Sequence, residues 1–261
     1  MEEAKEMLKA KSDYQSLSEQ LNQYASEIRK ALPNGFDAQR LVRIVLTEIR
    51  KNPALIECNR TSLFAAVLTA AQLGLEPGIL GQVYFIPYFN KKTQQKEVQF
   101  QIGYKGIIDL VRRSGQIASL NARVVYEKDE FEIEFGLNEK LIHKPYLKGD
   151  RGNIIGVYAI ARYNSTTPMF EYNFMTVDEI NKIRDRARSK DELSPWVTDY
   201  ESMAKKTVLK QLCKYLPLSL EVQRALVNDE TTRTVISEDI TSEADSTDWD
   251  STNSEAKEDE K

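Results

Sequence analysis

The sequence predicts an α+β fold, with helices at both ends, a mostly antiparallel sheet between them and an acidic tail. Three observations carry that prediction. Apolar residues recur every three or four positions before residue 78 and again after residue 176, which is helical spacing. Between these stretches the chain alternates apolar and polar residues in short runs with hairpin-length links, the pattern of antiparallel strands. From Asp229 onward it is Ser, Thr, Asp and Glu with a lone Trp249, too little apolar surface to offset the entropy of ordering. The 261 residues therefore divide into an N-terminal helical lobe (1–78), an α+β core (79–228) and a disordered acidic tail (229–261).

Residues 5–32 carry Met7, Ala10, Tyr14, Leu17, Leu21, Tyr24, Ile28 and Ala31 at alternating intervals of three and four, a heptad seam. Two alanines and two tyrosines in that seam argue against a long autonomous coiled coil. The seam packs either on its own domain or on a neighbouring subunit, and Tyr14, Leu17, Leu21, Tyr24 and Ile28 are the candidate oligomer contacts. After the break at Leu32-Pro33-Asn34-Gly35, a helix over 38–51 turns Leu41, Ile44, Val45 and Ile49 inward and stops at Asn52-Pro53. A third helix starts near Thr61 or Ser62, either of which can cap it. Phe64, Val67, Leu68 and Leu73 make it almost wholly apolar, hence buried, and Gly74 suits a left-handed C-cap.

The period then changes. Residues 81–89 (GQVYFIPYF) are rich in strand formers, 90–96 (NKKTQQK) are turn-like, and Val98, Phe100 and Ile102 alternate with Gln99 and Gln101. This is a β-hairpin whose tip carries Lys91, Lys92 and Lys96. Residues 104–114 form a short helix closed by Gly115, with Ile107, Ile108, Leu110 and Val111 inward and Arg112 and Arg113 at its exposed end. Strands follow over 117–126, 130–135, 153–163 and 169–175. Thr176-Val177-Asp178-Glu179 is a capping box that opens a helix to about residue 190. That helix ends in Lys182, Arg184, Arg186, Arg188 and Lys190 against Asp185 alone.

Beyond the break at Ser194-Pro195, residues 199–221 (DYESMAKKTVLKQLCKYLPLSLE) separate into two helical faces. Met203, Ala204, Val208, Leu212 and Tyr215 form an apolar stripe. Lys206, Lys210 and Lys214 stack at i, i+4, i+8, with Lys205 beside them. Like charges at that spacing repel, so the row is either a solvated face or a seat for a polyanion. Leu216-Pro217-Leu218-Ser219 ends the helix, and a short one follows to about residue 228.

Charge supports the polyanion. The formal net charge of −4 hides an asymmetry: residues 229–261 hold 12 acidic and 3 basic side chains, a net of −9, while the rest carries 33 basic against 28 acidic, a net of +5. Cys58 and Cys213 have no CxxC partner and read as reduced thiols of a cytosolic protein. The N-terminus has no apolar signal core, and no apolar run is long enough to cross a bilayer.

Catalytic readings find little support. No GxxxxGK[ST] is present, and Gly103-Tyr104-Lys105-Gly106 lacks phosphate-cradle spacing. The single histidine, His143, is expected on a surface or strand end and cannot anchor a metal centre by itself. Glu130, Glu132 and Glu134 share one strand face, but Phe131, Ile133 and Phe135 share the other, which is ordinary alternation rather than a magnesium site for nuclease chemistry. Nucleic-acid binding fits better. Lys and Arg neutralise phosphates without sequence preference, and Tyr84, Tyr88, Phe89 and Tyr104 are candidate base-stacking platforms. Zinc-finger, basic-zipper and RNP signatures are all missing.

Four collinear runs carry a family resemblance: LFAAVLTAAQLGLEPG at 63–78, GQVYFIPY at 81–88, FQIGYKGIIDLVRRSG at 100–115 and MAKKTVLKQLCKYLPLS at 203–219. Across residues 41–229 the chain resembles the RecT family of phage and prophage recombinases, single-strand DNA annealing proteins with phage lambda Red beta as a distant relative. The resemblance implies an activity without ATP, cofactor, metal or catalytic residue. Such proteins coat single-stranded DNA, pair it with a complementary strand and hold the annealed duplex in a homo-oligomeric ring or helical filament. It also implies a bacterial cytoplasmic setting, with a phage exonuclease and the host single-strand-binding protein as partners. The competing reading is a structural DNA-binding oligomer that does not anneal.

The expected site is a basic groove between the sheet and the C-terminal helices. Lys205, Lys206, Lys210 and Lys214 with Arg184, Arg186 and Arg188 form one wall, and Tyr104, Lys105, Arg112 and Arg113 the other. The hairpin adds Lys91, Lys92, Lys96, Gln99 and Gln101, and Arg123 points outward from its strand. Holding a strand by its phosphates leaves the base edges free to pair.

Overall fold

The computed structural model describes residues 2–186, 194–227 and 229, so Arg188, Lys190 and all of the acidic tail but the buried Asp229 lie outside the described residues. The chain divides into two units, one of residues 1–78, 83–101 and 227–261 and one of 79–82 and 102–226. The hairpin, expected with the middle segment, is part of the first unit.

In the first unit the heptad seam is used within the chain. Helices α1 (Glu2–Gln23) and α2 (Ala25–Ala31), interrupted only at Tyr24, pack on α3 (Ala38–Lys51) and α4 (Arg60–Leu73). Leu17, Leu21 and Ile28 are buried there. Tyr24 stacks on Phe64 with ring centroids 5.1 Å apart, and the Arg50 guanidinium lies 5.0 Å above the Tyr14 ring. Of the candidate oligomer contacts, Leu17, Leu21 and Ile28 are thus covered within the chain, while Tyr14 and Tyr24 are half-buried.

Asn59, rather than Thr61 or Ser62, caps α4, its side-chain oxygen accepting from the Ser62 amide at 3.2 Å. Gly74 closes the helix in the left-handed conformation, φ 57°. Strands β1 (Val83–Asn90) and β2 (Gln95–Ile102) pair as a hairpin. The start of α4 moors it: the Asn59 amide donates to the Lys96 carbonyl at 2.7 Å, and the Val98 amide donates to Ser62 Oγ at 3.0 Å. These bonds explain why the hairpin sides with the helices.

In the second unit, α5 (Tyr104–Arg113) precedes a three-stranded antiparallel sheet ordered β3 (Ile117–Tyr126), β6 (Ile154–Tyr163), β7 (Phe170–Thr176). A separate antiparallel pair, β4 (Glu130–Glu134) and β5 (Lys140–Lys144), intervenes in sequence. Helix α8 (Tyr200–Cys213) packs on all three strands of the larger sheet. Val124, Val157, Ala159 and Ala161 share the face beneath it, and the two alanines let the helix approach closely. Helix α5 packs on β3 and α8, while α6 (Val177–Asp185) packs on β6 and β7 and carries the capping box as expected. The short helices α7 (Pro195–Thr198) and α9 (Leu220–Val227) complete the unit. Both thiols are buried, which pushes Cys58 up to about 11 and Cys213 up to about 12.

Candidate nucleic-acid interface

Helix α5 is amphipathic by its spacing. Ile107, Leu110 and Val111 are buried, while Lys105, Arg112 and Arg113 are exposed and Tyr104 is half-buried. Its first turn is fixed by glycine. The Gly103 amide donates to the Gln82 carbonyl at 2.8 Å, and a Cβ on Gly106 would lie 2.3 Å from that same oxygen. The close approach sets the direction in which Lys105 leaves the helix. Arg113 pairs with Asp109, which also accepts from the Gln82 side chain at 3.3 Å. A solvent-exposed pair of this kind is worth only about 0–1 kcal/mol, so it exchanges readily for a phosphate. Lys105 and Arg112, seven residues apart on one helix face, make no ion pair among the described residues.

Helix α8 departs from the expected two-faced wheel. Three strands and two helices pack round it and bury most of its residues, Lys206 included at 3 % exposure. Lys210 is half-buried and Lys214 exposed, so the row emerges gradually from the interior. Lys206, expected as a phosphate contact, is buried in this structure, and Tyr215, expected inward, is exposed. Toward the sheet, α8 packs on β3, β6 and β7, and Met203, Ala204, Val208 and Leu212 are buried. Lys205 pairs with Glu201 at 3.3 Å, Arg184 pairs with Asp185 at 3.1 Å, and Arg186 is exposed.

A carboxylate organises the hairpin tip. Glu97, buried, accepts from Tyr88 Oη at 3.1 Å, Asn90 Nδ2 at 2.9 Å and Thr93 Oγ1 at 2.7 Å. This clasp holds the four-residue turn and leaves Lys91 and Lys92 pointing into solvent. Lys96 is instead tied to Glu57; each partner stabilises the charged form of the other, raising the lysine pKa and lowering the carboxylate's. On β2, Gln99 is half-buried, whereas Gln101, expected to contact DNA, is buried.

Sequence reasoning does not foresee β5 or the network beneath it. His143, expected at a surface, sits within β5, with Nε2 3.0 Å from Asp129 and Nδ1 3.2 Å from Tyr158 Oη. Asp129 accepts only, so Nε2 donates to it. Asp129 also accepts from Arg151 Nε at 2.9 Å and from the Tyr126 and Tyr146 amides at 3.0 and 2.8 Å. Arg151 in turn lies 4.1 Å above the Tyr126 ring. The network joins the β4–β5 pair to the larger sheet, and nothing in it faces a ligand. Arg123 stands exposed on β3 opposite Tyr158, on the face away from α8.

The family model for the RecT family matches residues 39–247. Protein RecT of Escherichia coli (strain K12) is 50 % identical over 207 residues, covering 78 % of this chain and 76 % of that protein. The chain belongs to the RecT family. An uncharacterized protein, YqaK of Bacillus subtilis (strain 168), is 32 % identical over 214 residues, 81 % of this chain and 70 % of that protein. RecT-family membership makes the protein a single-strand DNA-binding recombinase that acts by annealing. The matched span holds every expected DNA contact, from Lys91 to Lys214, and excludes the whole heptad seam. Among the described residues no helix is long and apolar enough to cross a membrane.

Proposed function

We propose that this RecT-family protein coats single-stranded DNA and pairs it with its complement without ATP, as a homo-oligomeric ring or helical filament in the cytoplasm of a bacterial host. A phage exonuclease supplies the strands and the host single-strand-binding protein yields them. The observation that carries the reading is the outer face of α5, where Lys105 and Arg112 stand exposed without an ion-pair partner among the described residues. Lys210 and Lys214 emerge from α8, the helix against which α5 packs. Arg113 joins by exchanging Asp109 for a phosphate. Arg186 at the end of α6 adds to the grip, and Lys91 and Lys92 at the hairpin tip of the first unit offer phosphate contacts of their own. Contacts of this kind hold the sugar–phosphate chain and leave Watson–Crick edges outward.

The test is Lys105→Ala with Arg112→Ala in the full chain. Binding should weaken about equally for all sequences, and the salt dependence should flatten by about 0.7 logarithmic units for each phosphate that a single strand no longer has neutralised. Annealing of complementary oligonucleotides without ATP should slow in parallel. A folded double variant that binds as wild type does would remove α5 from the interface. Wild-type protein that binds strands without speeding their annealing would leave a structural DNA-binding oligomer.

A further inference from the structure

The sheet's second face is occupied only in part. Backbone register puts Asn121 and Arg123 of β3, Ile160 and Arg162 of β6, and Phe170 of β7 on the side opposite α8. The β4–β5 pair covers one portion: Phe131 packs on Tyr158 and Phe174, with ring centroids 5.9 and 5.2 Å apart. Phe135 covers Tyr172 at 5.4 Å, and Phe170 flanks the same ring at 6.1 Å, with planes 29° and 20° from parallel. The result is a row of three near-parallel rings whose two ends are open, Phe135 at 64 % exposure and Phe170 at 44 %.

Beside that row stand two cations. Arg123 lies opposite Tyr158 and Arg162 opposite Phe170, four residues along β6, a separation of roughly 13 Å along the strand. Both are exposed, and neither makes an ion pair among the described residues, although Arg40, Arg113, Arg151 and Arg184 all do. The register places no carboxylate of the sheet itself on this face between Ser119 and Arg123, Tyr158 and Arg162, or Phe170 and Phe174, and the carboxylates near Tyr172 are Glu134 and Glu139 of the β4–β5 region.

We propose that this face is a second nucleic-acid surface, which receives a single strand of DNA by stacking bases on Phe170 and Phe135 while Arg123 and Arg162 hold its phosphates. Open ring faces are of no use to a duplex, whose bases are already stacked; they suit a strand with unpaired bases. Unneutralised guanidiniums select a polyanion, and their side chains also stack on planar groups. A surface that takes bases differs from the phosphate grip of α5 and allows two strands to be held in different ways on one protomer. The inference rests on the DNA-binding reading above for the identity of its ligand.

The test uses the full chain, a dT oligonucleotide carrying 5-iododeoxyuridine, and two double variants, R123Q/R162Q and F135L/F170L. Thermal melting first establishes that each variant is folded. Photocrosslinking followed by peptide mapping should place base contacts on the peptides bearing Phe135 or Phe170. F135L/F170L should lower oligonucleotide affinity by about fivefold or more, the loss expected for one stacked base. R123Q/R162Q should flatten the salt dependence by about 1.4 logarithmic units, the share of two phosphates. Crosslinks confined to other peptides, with both variants binding as wild type, overturn the proposal while leaving the α5 interface intact. Variants that change the sedimentation coefficient but not the affinity per protomer also overturn it, and make the face a contact between copies of the chain. Wild-type protein that binds no single strand at all overturns this proposal and the proposed function together.

Discussion

Asp129 shows what a single buried charge requires. Its carboxylate is fully enclosed and accepts from Arg151, His143 and two backbone amides. The Arg151 guanidinium, followed by those amides and the histidine, holds its pKa far below the ordinary carboxylate range despite burial, which acts the other way. A folded-state pKa below the unfolded value contributes stability that is complete above about pH 4 and is lost progressively as pH falls below it. Asp129→Asn removes the charge and leaves Arg151 facing a neutral amide. The cost of breaking a buried pair from one side is about 3–5 kcal/mol. Urea titrations at pH 7 should show that loss, and the variant's stability should depend less on pH between about 4 and 2 than the wild type's. Equal stability of the two proteins at pH 7 would mean the network is ornamental. His143 takes its place in the network as a fixed ring between Asp129 and Tyr158, which is a structural duty.

Among the elements, α5 depends on a residue with no side chain. The Gln82 carbonyl occupies the space a Cβ on Gly106 would need, and Ile102 Cγ2 closes the other side at 2.9 Å. Gly106→Ala therefore pushes the helix off its seat by its own backbone neighbour, an overpacking cost of about 1–3 kcal/mol. A lowered melting temperature with weakened single-strand binding is expected, since Lys105 and Arg112 move with the helix. A variant that melts as wild type does would show that residues 79–82 give way at little cost. The elements legible in the sequence are those whose cause is local. The capping box at Thr176 and Glu179, the left-handed Gly74 and the basic hairpin tip each depend on residues within a few positions. Lys206 escapes such reasoning because helical spacing reports one apolar stripe, and α8 has five packing partners that close round most of it. Gln101 escapes it because alternation implies a solvated side, and β2 has none at that end. His143 and β5 depend on Asp129, 14 residues away in sequence, and no spacing rule joins them.

For the molecule as a whole, charge is divided along the chain more sharply than its net of −4 suggests. Residues 231–261 hold 10 acidic and 3 basic side chains, and without them the chain carries 33 basic against 30 acidic. Asp229 is buried, so a truncation that tests the tail's charge has to spare it and end at Glu230. The segment removed repels DNA and competes for the same cations, which lowers the rate at which a strand reaches Lys105, Arg112 and the hairpin tip. That repulsion acts over about 8–10 Å at physiological salt and over roughly 30 Å at 0.01 M. The truncated protein should therefore bind single strands more tightly than the full chain at low salt, and the two affinities should converge as salt is raised. Annealing without ATP should persist, because every proposed contact lies before residue 231. Fluorescence anisotropy with a labelled oligonucleotide over a salt series makes the comparison directly. Weaker binding by the truncated protein at low salt would assign the tail an attractive role that its net charge of −7 cannot supply.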